Sequence, residues 1–189
     1  MEKKDLRSAC LEKIKNTPSE NFRKWGAEVC DIVTKTEQWK NAETVFIFVS
    51  MPTETDTSGL IENALNTGKR LCVPKIVGEG IMEAVEIKNQ AQLSSGKFGI
   101  SEPTEECPSV VKNEIDLVLL PCLAADENGR RLGRGGGYYD RFCEDYTGDK
   151  LIVCPEILLL KDGEIPTEKW DITADGVVTE KRFISAKPL

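Results

Sequence analysis

The stretch Thr44-Val45-Phe46-Ile47-Phe48-Val49-Ser50 decides the fold. It is too short for a stable helix and is built of β-branched and aromatic residues, so it reads as a strand. Its apolar run does not alternate with polar residues, which marks a strand covered on both faces. Downstream, Asp56 or Thr57 caps a helix through Leu60, Ile61, Ala64 and Leu65 that stops near Gly68. Arg70-Leu71-Cys72-Val73-Pro74 is the next strand. Strand, helix, strand in this order predicts a right-handed βαβ crossover. Further strands are expected over 82–87, 116–120, 151–154 and 176–179. Upstream, Leu6, Cys10 and Ile14 predict an amphipathic helix over residues 3–15. Thr17-Pro18-Ser19-Glu20 reads as a capping box, with proline at the first position of a second helix. That helix carries Phe22, Trp25, Val29 and Val33. The expected architecture is α/β: one three-layer domain over 1–189, with a mostly parallel sheet between helices. Residues 89–112, rich in Ser, Gly, Glu and Pro, read as a long loop.

The most apolar strand, 116–120, runs into Pro121-Cys-Leu-Ala-Ala-Asp126-Glu-Asn-Gly129-Arg130-Arg131-Leu132-Gly133-Arg134-Gly135-Gly136-Gly137-Tyr138-Tyr139-Asp140. Ligands bind beyond the carboxyl ends of parallel strands. Five of the 15 glycines and three arginines fall within residues 129–137. Clustered glycines let backbone N–H groups converge on an anion, and arginine adds paired donors. A helix starting near Gly137 and covering Tyr138, Tyr139, Phe142 and Tyr146 would add its positive end. The segment is neither a Walker A loop nor a dinucleotide fingerprint, since Tyr138 stands where the third glycine of GxGxxG would fall. It reads as a phosphate-binding loop or as a solvated surface loop. Asp140 is a helix-start charge or a Mg²⁺ carboxylate, with Asp171 or Asp175 as the second. Lys3 and Arg7 share a helix face, and Glu54 follows the first strand at the same sheet edge as the glycine-rich loop.

The chain carries 25 Lys and Arg against 32 Asp and Glu, a net charge of −7, which argues against a nucleic-acid binder. No apolar run approaches the roughly 20 residues of a membrane-spanning helix. The start shows no secretory pattern, and seven widely spaced cysteines without a CxxC pair suit a reducing cytoplasm. Cys72, Cys122 and Cys154 read as small buried hydrophobes. There is no histidine, so Ser-His-Asp and Cys-His mechanisms and His-ligated metals are excluded.

The pattern Leu-Pro-x-Leu-Ala-x-Asp-x-x-Gly-x-Arg-Leu-Gly-Arg-Gly-x-Gly-Tyr-Tyr-Asp at 120–140 resembles the signature of the 5-formyltetrahydrofolate cyclo-ligase family, also called methenyltetrahydrofolate synthetase. Lys3-x-x-x-Arg7, Ser50-Met51-x-x-Glu54-x-Asp56-Thr57 and Pro166-x-x-x-x-Asp171-x-x-x-Asp175-x-Val-Val-Thr179 resemble other family segments in the same order. Trp170, where the family often has His, and Lys13 and Ile14, where it often has more arginine, depart from the pattern. The resemblance implies ATP- and Mg²⁺-dependent conversion of 5-formyltetrahydrofolate to 5,10-methenyltetrahydrofolate, with ADP and phosphate released through an iminophosphate. It also implies kinship with the ribose-phosphate isomerase and CoA-transferase group. ATP would be held by Lys3, Lys4, Asp5, Leu6 and Arg7, and by Arg131, Leu132, Gly133, Arg134, Gly135, Gly136, Gly137, Tyr138 and Tyr139. Folate would meet Val49, Glu54, Phe98, Arg134, Gly135, Gly136, Gly137 and Tyr138. Asp140 and Asp171 would be the Mg²⁺ carboxylates. The expected partners are these small molecules, without nucleic acid or membrane, and the expected state is a monomer. Another α/β phosphotransferase and a non-catalytic nucleotide-binding module are the alternatives.

Overall fold

Short apolar runs build the centre of one sheet in the computed structural model, which describes residues 2–95 and 101–186. The strands in chain order begin with β1 (Thr44–Ile47), β2 (Arg70–Gly78), β3 (Ile81–Ile87), β4 (Leu93–Ser95), β5 (Ser101–Pro103) and β6 (Ser109–Val110). They continue with β7 (Leu117–Leu120), β8 (Ala124–Asp126), β9 (Arg131–Leu132), β10 (Asp149–Val153), β11 (Leu159–Leu160), β12 (Gly176–Val178) and β13 (Phe183–Ser185). The helices are α1 (Lys3–Lys15), α2 (Ser19–Val33), α3 (Glu37–Asn41), α4 (Ser58–Asn66) and α5 (Tyr138–Phe142). Eight strands form the main sheet in the order β13-β12-β10-β7-β1-β2-β3-β6. From β12 to β2 neighbours run parallel, while β13, β3 and β6 pair antiparallel at the margins. The chain is thus a mixed α/β domain with a mostly parallel centre, as the apolar runs predict. None of the described helices is long and apolar enough to cross a membrane.

Strand alternation divides the core into two layers. Phe46, Val118, Leu120, Ile152 and Cys72 face one side, with Leu6, Cys10 and Ile14 of α1. Val45, Ile47, Leu117, Leu119, Leu151 and Val73 face the other, with Val29 and Val33 of α2 and Leu60, Ile61 and Ala64 of α4. Both faces of the central strands are therefore dry, which accounts for runs that never alternate.

Several expectations change in detail. Pro18, not Thr17, is the residue before α2, and no side chain caps that helix. The Thr17 hydroxyl instead donates to the Lys13 carbonyl at 2.8 Å, closing the end of α1. Strand β3 returns antiparallel to β2 because only Glu79 and Gly80 separate it from Gly78, too short for a crossover. Residues 89–112 are not one long loop, since β4 and β5 pair there and β6 joins the main sheet. Helix α5 ends at Phe142, so Tyr146 lies beyond it, its hydroxyl donating to the buried Ile115 carbonyl at 3.1 Å. Cys72 and Cys154 are buried as expected, whereas Cys122 is only half-buried.

Candidate active site

The strand order reverses between β1 and β7. From β1 the chain moves through α4 to β2 on one side, and from β7 it moves through β10 to β12 on the other. The carboxyl ends of β1 and β7 therefore flank the switch-point crevice, where open parallel sheets bind ligands. A cleft of about 1260 Å³ opens there. Phe48, Val49, Met51 and Glu54 follow β1, and Pro121 and Cys122 follow β7. The run from Arg131 to Arg141 crosses the mouth, joined by Lys3 and Arg7 of α1 and by Glu168 to Ile172.

The segment after β1 is held by its own polar groups. The Thr57 hydroxyl donates to the Phe48 carbonyl at 2.7 Å and accepts from the Ser50 N–H at 3.2 Å. The Asp56 carboxylate accepts the Ser58 N–H at 2.9 Å, so Asp56 rather than Thr57 serves the start of α4. Glu54 is thereby fixed at the cleft wall. It accepts the Met51 N–H at 3.0 Å and lies 3.2 Å from Arg134 Nε. Burial pushes the Glu54 carboxyl above its ordinary value, and the Met51 N–H and Arg134 only partly offset this.

The glycine-rich segment turns sharply, with Gly135 at φ 102° and Gly137 at φ 67°, a region side chains avoid. Among the described residues, no backbone carbonyl accepts the N–H groups of Gly133, Arg134, Gly135, Gly136 or Gly137. Arg7 Nε donates to the Gly133 carbonyl at 2.9 Å and so ties α1 to this loop. Arg131 is almost wholly enclosed, and its Nη2 lies 2.9 Å from Asp140 Oδ1. The contact is off the hydrogen-bonding direction, and among the described residues neither Arg131 Nε nor Nη2, both buried, has a hydrogen-bond acceptor. A buried donor without an acceptor costs about 1–3 kcal/mol, so Arg131 Nε favours an anion beside it. The helix expected from near Gly137 does begin there, as α5, but it is short. Helix α5 has five residues, too few aligned peptide dipoles for a strong end charge.

The carboxylates stand beside cations. Lys3 Nζ lies 2.6 Å from Asp171 Oδ2 and 2.8 Å from Glu168 Oε2. Burial works against the Lys3 charge, but the hydrogen bonds to Asp171 and Glu168 outweigh it and hold the ammonium above its ordinary value. The Ile172 N–H approaches Asp140 Oδ1 at 3.4 Å, which brings the two acidic segments together. Asp175 is elsewhere, accepting the Lys150 N–H at 2.8 Å at the opposite end of the sheet.

Of the expected site residues, Lys3, Arg7, Val49, Glu54, Asp140, Asp171 and the run from Arg131 to Tyr139 all line the cleft. Lys4, Asp5 and Leu6 do not. One residue along a helix is about a quarter-turn round, so Lys4 and Asp5 face outward and Leu6 enters the core. Phe98 lies outside the described residues. Sequence reasoning gave no site role to Trp170, which it noted beside Asp171, and missed Glu168, Arg141 and the wall of Pro74, Ile76 and Met82 from the β2–β3 hairpin. A signal for the wall was present: the β-branched pair Ile76-Val77 continues the strand past Pro74.

The model of the 5-formyltetrahydrofolate cyclo-ligase family matches residues 1–180. A probable 5-formyltetrahydrofolate cyclo-ligase of Schizosaccharomyces pombe is 31% identical over 171 residues, 82% of this chain and 84% of that one. The 5-formyltetrahydrofolate cyclo-ligase of Escherichia coli K12 is 32% identical over 147 residues, 75% of this chain and 80% of that one. The solution structure of 5,10-methenyltetrahydrofolate synthetase from Aquifex aeolicus superposes with a TM-score of 0.86 at 30% identity, covering all of this chain and 95% of that one. With the signature segments gathered at one switch-point cleft, the chain belongs to the 5-formyltetrahydrofolate cyclo-ligase family.

Proposed function

We propose that the cleft joins 5-formyltetrahydrofolate and ATP and converts them to 5,10-methenyltetrahydrofolate, ADP and phosphate. The observation that carries the ATP half is the run of N–H groups from Gly133 to Gly137 that find no backbone acceptor among the described residues, set beside Lys3, Arg7, Arg131 and Arg134. A triphosphate supplies the acceptors this arrangement lacks. Folate takes the side lined by Val49, Met51, Glu54 and the hairpin wall. There the Glu54 carboxylate accepts from donor groups of the substrate.

The formyl oxygen is a poor leaving group until it is phosphorylated. The formyl oxygen attacks the γ-phosphorus, the bond to the β-phosphate oxygen breaks, and ADP departs. N10 of the same folate then attacks the activated formyl carbon. The carbon–oxygen bond breaks, phosphate leaves, and the N10 proton passes to solvent or phosphate. In-line transfer of this kind needs positioning and charge neutralisation, which arginine, lysine and backbone N–H groups provide without an imidazole. Arg131 and Arg134 hold charge through the transfer, and Lys3 exchanges its carboxylate partners for phosphate oxygen.

Asp140 and Asp171 would hold Mg²⁺, which would supply positive charge against the charge that develops on the phosphates. The donor set fits. The Ile172 N–H beside Asp140 Oδ1 brings the segment of Asp171 to Asp140, and Mg²⁺ takes one or two carboxylates with substrate phosphates. One chain supplies both walls, so a monomer suffices, and the free cysteines suit the cytoplasm. The same reading extends to kinship with the ribose-phosphate isomerase and CoA-transferase group, which the mostly parallel centre of the sheet supports. The test is purified protein with 5-formyltetrahydrofolate, Mg²⁺ and ATP, followed by product absorbance. Product must form with ATP and not without it; equal rates in both would exclude the proposal.

A further inference from the structure

Arg141 borders the cleft, yet two of its donors point into backbone. Its Nε donates to the Gly80 carbonyl at 2.8 Å, and its Nη2 donates to the Gly136 carbonyl. Its guanidinium also stands 6.0 Å from the Tyr138 ring centroid. Two glycines make room for it. Gly80 has φ 70°, and a Cβ there would overlap the guanidinium. Gly137 has φ 67°, and a Cβ there would lie 2.8 Å from Arg141 Nη1. Two left-handed glycines and two carbonyls, far apart in sequence, thus form a niche shaped for one guanidinium.

The two carbonyls belong to different walls. Gly80 is at the tip of the β2–β3 hairpin, which carries Pro74, Ile76 and Met82. Gly136 is in the glycine-rich loop. Three consecutive glycines have no side chains to pack and lose the most freedom on ordering, so such a loop needs an outside anchor. Arg7 anchors its start through the Gly133 carbonyl, and Arg141 anchors its end.

We propose that Arg141 is a positioning residue that clamps the hairpin wall to the glycine-rich loop and so presets the loop for phosphate. This rests on the reading of the cleft as an ATP and folate site. The clamp makes the two substrate walls move as one body. Lysine cannot replace it, because a single ammonium lacks the planar fork that reaches two carbonyls at once.

The experiment compares wild type with Arg141→Ala, Arg141→Lys and Gly80→Ala by kinetics and by backbone ¹⁵N order parameters. Arg141→Ala should lower kcat/KM for ATP by about a hundredfold, the scale of an ångström-sized misplacement. Order parameters should fall together at residues 79–81 and 133–137. Free guanidinium below its unfolding range should restore part of the activity of Arg141→Ala, while urea and ammonium should not. Arg141→Lys should show an intermediate defect without rescue, since its side chain fills the niche. Gly80→Ala should resemble Arg141→Ala although it removes no charge. Normal kcat/KM in Arg141→Ala, or a defect with unchanged loop order parameters and no guanidinium rescue, would overturn the clamp. Should Arg141→Ala fail to fold, the same readings on Arg141→Lys and Gly80→Ala decide it. If wild type forms no product from 5-formyltetrahydrofolate while both segments still loosen together in the variants, the clamp is supported and only the functional reading fails.

Discussion

Replacing Gly26 with alanine should destabilise the protein, although Gly26 lies inside α2, where alanine is the better helix former. Helix propensity alone favours alanine by about 1 kcal/mol. Against that, a Cβ at Gly26 would overlap the Asp56 carbonyl oxygen and stand 2.7 Å from Asp56 Cβ. The obstacle cannot swing away, because it is backbone. The Asp56 N–H is also bonded to the Phe22 carbonyl at 3.1 Å, which holds the loop against the helix. Overpacking costs about 1–3 kcal/mol and loss of that hydrogen bond adds about 1 kcal/mol. The net is a loss of about 1–3 kcal/mol once the propensity gain is subtracted. For a central value of about 2 kcal/mol, Tm should fall roughly 4–8 °C in a chain of this size. The displaced loop carries Glu54, so KM for 5-formyltetrahydrofolate should rise while KM for ATP changes less. Calorimetry and steady-state kinetics measure both. A variant about 1 kcal/mol more stable than wild type, as propensity alone dictates, would refute the close approach.

Arg134→Ala should weaken substrate binding by about 1.5–3 kcal/mol, the worth of a charge-assisted hydrogen bond, and unchanged turnover at sub-saturating ATP and folate would remove Arg134 from the site. Asp140→Asn and Asp171→Asn should each shift the Mg²⁺ titration of activity to higher concentration while circular dichroism stays the same; an unmoved titration would make that carboxylate structural. Because burial raises the Glu54 carboxyl above its ordinary value of 4.5, the folded chain keeps a proton that the unfolded chain has released, and stability falls as pH rises through that window. Glu54→Gln should therefore match wild type in Tm near pH 4 and exceed it at pH 7, and the opposite trend would mean that Arg134 and Met51 outweigh burial. Trp170 is 60% exposed at the cleft, whereas Trp39 is buried and Trp25 packs against the core, so substrate-dependent tryptophan quenching should disappear in Trp170→Phe.

What the sequence made legible follows from how locally each feature is specified. The runs at β1, β7 and β10 have both faces dry, and their lack of alternation reports that directly. The place of the glycine-rich loop at the cleft was legible because it follows the most apolar strand, whose carboxyl end opens into the crevice. The antiparallel return of β3 was less visible, since parallel and antiparallel partners share composition and only the short Glu79-Gly80 connection separates them. Gly26 and Gly80 look ordinary in sequence, because the groups they admit, Asp56 and Arg141, lie 30 and 61 residues away. Lys4 and Asp5 lay within a matched segment, yet helix rotation turned them from the cleft. Glu168 gave no signal, because its role depends on where Lys3 ends up.

The most direct test follows oxygen rather than rate. 5-Formyltetrahydrofolate labelled with ¹⁸O in the formyl group is converted by the purified protein with ATP and Mg²⁺, and the inorganic phosphate is analysed by mass spectrometry. Phosphorylation of the formyl oxygen predicts one ¹⁸O in each phosphate released, because the carbon–oxygen bond breaks after that oxygen is bound to phosphorus. Unlabelled phosphate with the label in water would contradict the account, since the formyl oxygen would then have left without ever accepting the phosphoryl group.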